Sequence, residues 1–166
     1  MITLKNVLVA TDFGEASETA LQYGRDLART FGASLHVLHV ADDVRARAAG
    51  VEGYAVDFSE IQSEVEASAR KQLDAVVTDE DRRQLGAKAI VQTSTTPALA
   101  IVLYAKEANV DLLVIGTHGR GGMARLFMGS VAERVVRTAP CPVLTVRHPE
   151  HEFVGPDALQ VVTKSQ

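Results

Sequence analysis

A single cysteine, Cys141, stands among the 166 residues. One thiol cannot close an internal disulfide, so the fold must be held by its apolar core, and a reducing compartment is the natural setting. Cys141 is expected to pack beside Pro140 and Pro142. Long hydrophobic runs are missing as well. Only Lys5 precedes the apolar run Val7 to Ala10, which is too short for a signal-peptide core or a membrane span, so the sequence predicts a cytoplasmic protein. Positive charge is scarce overall: 17 lysines and arginines against 21 acids give a net charge of −4. That balance excludes broad binding to nucleic-acid backbones. What remains is a chain of one-domain length, able to bury roughly 70% of the surface its unfolded form exposes.

The stretch from Asp111 to Val131, DLLVIGTHGRGGMARLFMGSV, organises the rest. It contains no lysine and no GxxxxGK[ST], so it is not a Walker loop, and it does not follow the GxGxxG pattern of dinucleotide folds. Leu112 to Ile115 is a short branched apolar run suited to a strand buried on both faces. Glycines follow at 116, 119, 121, 122 and 129, where missing side chains let backbone N–H groups turn toward a ligand. Ser130 opens a helical stretch. Strand, glycine loop and helix N-terminus together favour an anion, because amide hydrogens without partners and the helix dipole both point at it. From Gly116 to Arg147 five arginines (120, 125, 134, 137 and 147) face one acid, Glu133, which suits a small polyphosphate. Arg134 and Arg137 read better as the solvated face of the last helix.

Gly116, two residues, Gly119, nine residues, then Gly129-Ser130 is similar to the G-x2-G-x9-G-[ST] signature of ATP-binding universal stress proteins. NVLVATDFGEASETAL near the start resembles the family's first strand with its terminal aspartate, and APCPVLTV its last strand. The resemblance implies an open five-stranded parallel sheet in the order 3-2-1-4-5, with helices on both faces. This is the α/β, Rossmann-like architecture of the adenine nucleotide alpha hydrolase type. Residues 1–147 would form the universal stress protein domain and 148–166 a C-terminal extension, either packed on a partner subunit or flexible. It implies ATP, with Mg²⁺ held by phosphates and water, as the ligand. Ala10, Thr11 and Asp12 would meet the nucleoside end, with Asp12 on the ribose hydroxyls, and the Val40 main chain would meet the adenine. Gly119, Arg120, Gly129, Ser130 and Val131 would hold the phosphates on their amides, Gly116 and Thr117 would shape the turn, and His118 or Arg120 would offer charge. It implies a homodimer through the last strand, Pro142 to Val146, whose apolar edge would otherwise stand open.

The remaining elements are read from periodicity. Asn6 to Ala10 is the first strand, ending in the polar pair Thr11-Asp12. Glu15 to Phe31 carries a helical stripe through Ala20, Leu21, Gly24, Leu27, Ala28 and Phe31, with Gly32 as its C-cap. Ser34 to Val40 is the second strand; His36 and His39, three apart, point to opposite faces and read as structural rather than metal-binding. Ala41 to Phe58 is irregular. Ser59 to Val77 is helical, led by the capping-box pattern Ser59-Glu60-Ile61-Gln62 and carrying Ile61, Val65, Ala69, Leu73 and Val76. Thr78 to Gly86 reads as a charged, solvated connection with room for a helical turn. Ala87 to Gln92 is the third strand, shorter and more polar, which suits the sheet edge that the resemblance implies for it. Ser94, Thr95 and Thr96 before Pro97 signal the start of a helix through Asn109, and the absence of the glycine that family members commonly carry there is a departure. Val131 to Thr138 is the last helix.

Such a site binds; turnover also needs a group to place the attacking water and a cation for the developing charge. His118 and Arg125 are the local candidates. Three readings stay open: a nucleotide-responsive regulatory module, a slow ATPase or autophosphorylating protein using Ser130, and a stress adaptor that no longer binds nucleotide.

Overall fold

The computed structural model describes residues 1–48, 58–117 and 128–149. Five short runs rich in branched residues become the strands β1 (Asn6–Ala10), β2 (Ser34–Ala41), β3 (Lys88–Thr93), β4 (Leu112–Gly116) and β5 (Val143–Val146). Between them run α1 (Glu15–Phe31), α2 (Val44–Ala48), α3 (Phe58–Val76), α4 (Asp79–Leu85), α5 (Pro97–Glu107) and α6 (Ser130–Thr138). The strands pair in parallel in the order β3-β2-β1-β4-β5, as the resemblance implies. Val7 lies between Leu35 and Leu112, and Ala10 between Leu38 and Ile115.

The central strands are covered on both faces, so alternation along them sorts side chains between two apolar layers rather than between core and water. Val7, Val9, Leu35, Val37 and Val114 pack with Ala20, Leu21 and Ala28 of α1 and Leu73 of α3. Leu8, Ala10, Leu38, Leu113 and Ile115 pack with Ala98, Ile101 and Ala105 of α5 and with Ala132 and Val135 of α6. The incoming ends of the two middle strands are tied together as well. The Asp111 carboxylate accepts from the backbone amides of Lys5 at 2.7 Å and Asn6 at 2.9 Å.

α1 ends as expected at Gly32, whose φ of 64° is left-handed, and the following amide of Ala33 donates to Ala28 O at 2.8 Å. Phe31, placed in the stripe by periodicity, is instead 41% exposed. The proposed capping box at Ser59 does not form, because α3 already begins at Phe58 and the Gln62 side chain is buried elsewhere. The irregular stretch after β2 contains the short helix α2. The connection read as solvated is the helix α4, capped reciprocally by Thr78 and Asp81. Asp81 is buried because Arg25 of α1 meets it with Nε at 3.0 Å and Nη2 at 2.8 Å, the latter also donating to Val76 O at 2.7 Å. A charge run thus hides a structural ion pair.

Candidate functional site

β1 and β4 are neighbours, but the chain leaves β1 for α1 in one layer and enters α6 after β4 in the other. Diverging connections from adjacent parallel strands open a crevice beyond their carboxyl ends, the usual ligand position in such sheets. A cavity of about 270 Å³ lies there. Ala10, Thr11 and Asp12 line it from β1, Val40 from β2, Gly116 and Thr117 from β4, and Gly129, Ser130 and Val131 from the start of α6. These sequence-predicted residues, far apart along the chain, come together. His118, Gly119, Arg120 and Arg125 lie outside the described residues.

The rim after β1 is a locked turn. The Phe13 amide donates to Thr11 Oγ1 at 3.0 Å and the Gly14 amide to Asp12 Oδ1 at 2.9 Å. Ser17 Oγ donates to Gly14 O at 2.8 Å, so its 3.1 Å contact with Thr11 Oγ1 takes its proton from the threonine. Phe13 is held at a φ of 63°, uncommon for a side chain of this size, and its ring packs 4.4 Å from that of His39. His39 Nδ1 lies 2.8 Å from Thr11 O, and since a carbonyl only accepts, this nitrogen carries the proton. Asp12 therefore serves as the turn's cap while still lining the cavity.

Gly116 has a tighter role than shaping a turn. A Cβ built there would sit 2.8 Å from the Ala16 carbonyl carbon and 3.0 Å from its oxygen, so α1 lies directly on the strand end. Beyond it, Thr117 N donates to Val146 O at 2.8 Å and Gly129 N to Thr117 O at 2.6 Å. The glycine loop thus starts and finishes at one point. Gly129 is the N-cap of α6 and supplies no side-chain cap to its first turn, where Ser130 and Val131 line the cavity. Arg137 pairs with Glu133 at 3.0 Å on the exposed face, as expected of a solvated position.

Sequence reasoning missed Ser17, Leu38, His39, Pro97, Ile101, Ile115 and Ala132, which also line the cavity. Leu38, Pro97 and Ile101 add an apolar lining to a cavity that also meets the backbone of Ser130 and Val131. Ser17 had a legible signal, three residues beyond Gly14 at the head of a helix. The α5 residues had none, since their approach is a matter of packing. The histidines do diverge: His36 turns into the α5 layer and bonds Tyr104, while His39 serves the rim. Among the described residues no group of three or more His, Cys, Asp or Glu is placed to hold a metal ion. No helix among them is long and apolar enough to cross a membrane.

The model of the universal stress protein family matches residues 3–147. The chain belongs to the universal stress protein family. It is 32% identical over 149 residues to a universal stress protein of Methanocaldococcus jannaschii, covering 89% of this chain and 85% of that one. The solved universal stress protein UspA of Lactobacillus plantarum superposes with a TM-score of 0.69 at 27% identity, covering 89% of this chain and all of that one. A universal stress protein of Archaeoglobus fulgidus in complex with dAMP gives a TM-score of 0.55 at 25% identity, covering 87% of this chain and 98% of that one.

Proposed function

We propose that this universal stress protein binds ATP in the crevice between β1 and β4 and acts as a nucleotide-responsive homodimeric regulatory module in the stress response. The observation that carries the reading is a cavity beyond the β1 and β4 strand ends whose lining is part apolar and part helix-start backbone. Its apolar lining from Leu38, Pro97 and Ile101 suits a base, and the amides of Ser130 and Val131 with the Ser130 hydroxyl suit phosphates, the expected Gly129 amide being already given to Thr117 O. The Val40 main chain would meet the base and the Asp12 carboxylate would accept from the ribose hydroxyls, both residues lining the cavity. The Archaeoglobus relative bound to dAMP supports an adenine nucleotide as the class. Mg²⁺ would come with the phosphates, held by their oxygens and by water. Dimerisation is proposed through Pro142 to Val146, because β5 stands at the sheet edge with Val143 and Leu144 only half-buried.

Titration calorimetry with Mg-ATP tests the ligand. Binding is expected for the wild type and a loss of at least about ten-fold for Gly129→Val, with the circular dichroism spectrum unchanged. Equal affinity in both proteins would remove the assignment. Light scattering on the same samples reads the dimer. A second reading, slow phosphoryl transfer to Ser130, is favoured only by that residue's exposed position on the cavity wall. A gain of one phosphate in the mass of Ser130, absent from Ser130→Ala, would establish it.

A further inference from the structure

Gln62 sits in the first turns of α3 with 2% of its surface exposed, one of few buried polar side chains among the described residues. Burying an amide is costly unless its donors and acceptor are matched. Here they are. Gln62 Oε1 accepts from the Val44 amide at 2.9 Å, and Nε2 donates to Asp42 O at 3.2 Å and to Glu66 Oε1 at 3.0 Å. The same Glu66 oxygen accepts from Thr93 Oγ1 at 2.8 Å, and the Ser94 amide donates to Ala41 O at 3.0 Å. One side chain therefore holds both backbone groups of the turn that follows β2, while its neighbour holds the end of β3. The turn so clamped begins two residues after Val40, which lines the cavity, and Ala41 between them stands in register with Thr93.

A clamp on Asp42 O and the Val44 amide fixes the turn that leaves β2, and so limits how far the main chain of Val40 and Ala41 just before it can shift. Adenine and guanine offer opposite donor and acceptor patterns on the edge a strand end can read. Discrimination between them needs a rim that cannot shift to suit the wrong pattern. Resting on the nucleotide-binding reading above, we infer that Gln62, with Glu66 and Thr93, is a positioning residue that sets the base specificity of the site without touching the nucleotide.

The test compares the affinities of ATP, GTP and inorganic tripolyphosphate for the full-length protein and its variants. Gln62→Leu is expected to cut the ATP-to-GTP ratio by at least about ten-fold while tripolyphosphate binding stays constant. Thr93→Val, at the half-buried end of the network, should lower the ratio in the same sense even if Gln62→Leu does not fold. Gln62→Glu sets two carboxylates together and should fail likewise. Gln62→Glu combined with Glu66→Gln re-forms the links to the Val44 amide and between 62 and 66, with Thr93 Oγ1 now accepting, but sets a carboxylate oxygen against Asp42 O, and should bring part of the ratio back. If the wild type prefers ATP and Gln62→Leu and Thr93→Val both keep its ratio, the inference is overturned and the nucleotide reading stands. A uniform loss for all three ligands that the double variant does not reverse makes Gln62 merely structural and also overturns it. A wild type with no preference for ATP removes both the inference and the adenine assignment.

Discussion

The Nδ1 atom of His36 lies 2.9 Å from the hydroxyl of Tyr104, joining β2 to α5. The other ring nitrogen, Nε2, is buried without a partner among the described residues. Tyr104 follows Ile101 by one turn, and His36 precedes Leu38 on the same face of the strand, so this pair underlies two cavity-lining residues.

Burial, with the ammonium of Lys88 nearby, holds the His36 imidazole below its ordinary 6.5. Well above that pH both folded and unfolded chains keep the ring neutral. As pH falls through 6.5 the unfolded chain takes up a proton that the folded one resists, so stability declines until the lowered folded value is passed. Urea midpoints should therefore drop between about pH 7.5 and 5.5, and His36→Leu should flatten that part of the profile. Tyr104→Phe strands the Nδ1 atom as well and is expected to cost about 1–2 kcal/mol at neutral pH, read from the same unfolding curves.

The ion pair between Arg25 and Asp81 makes a second prediction. Burial alone would raise the Asp81 carboxyl, but the Arg25 guanidinium and the Thr78 amide outweigh it and hold the group below 3.8. Its stabilising contribution is present above 3.8 and is lost as pH falls through the lowered value. Asp81→Asn leaves the guanidinium without its charge partner and weakens the reciprocal cap of α4. Chemical denaturation should report a loss of about 3 kcal/mol, against near neutrality for the exposed partner in Asp26→Asn.

At Gly116 the added methyl of an alanine has no room against the Ala16 carbonyl. Gly116→Ala should cost about 1–3 kcal/mol by overpacking, measured as a lower thermal midpoint. It should also weaken ATP, because relief requires α1 to move and Ser17 on its first turn lines the cavity. A variant equal to wild type in both measurements would mean that the strand end and helix are less tightly fitted than these contacts require.

Much of this was legible in the chain. Unbroken branched runs such as Val7-Leu8-Val9 and Leu113-Val114-Ile115 announce strands buried on both faces, and the spacing from Gly116 to Ser130 announces the loop. The strand order came with the resemblance, since periodicity does not say which strands are neighbours. Asp81 reads as a surface acid because its partner lies 56 residues away, although Thr78 three residues before it is a capping pattern. At Ser59 the same pattern misled, because Gln62 finds better partners across the fold than at its own helix end. Pro97 and Ile101 were placed on a helix correctly, yet nothing local tells that this helix borders the crevice.

The turn from Thr11 to Gly14 is fastened at four points by side chains, including the His39 ring. Freezing one residue's backbone costs roughly 1–2 kcal/mol, and along this lip folding has already met that cost. An arriving molecule then finds a socket already cut to shape, so this edge adds no delay to capture. Differences among ligands at this edge should emerge in how long each stays, not in how quickly it enters.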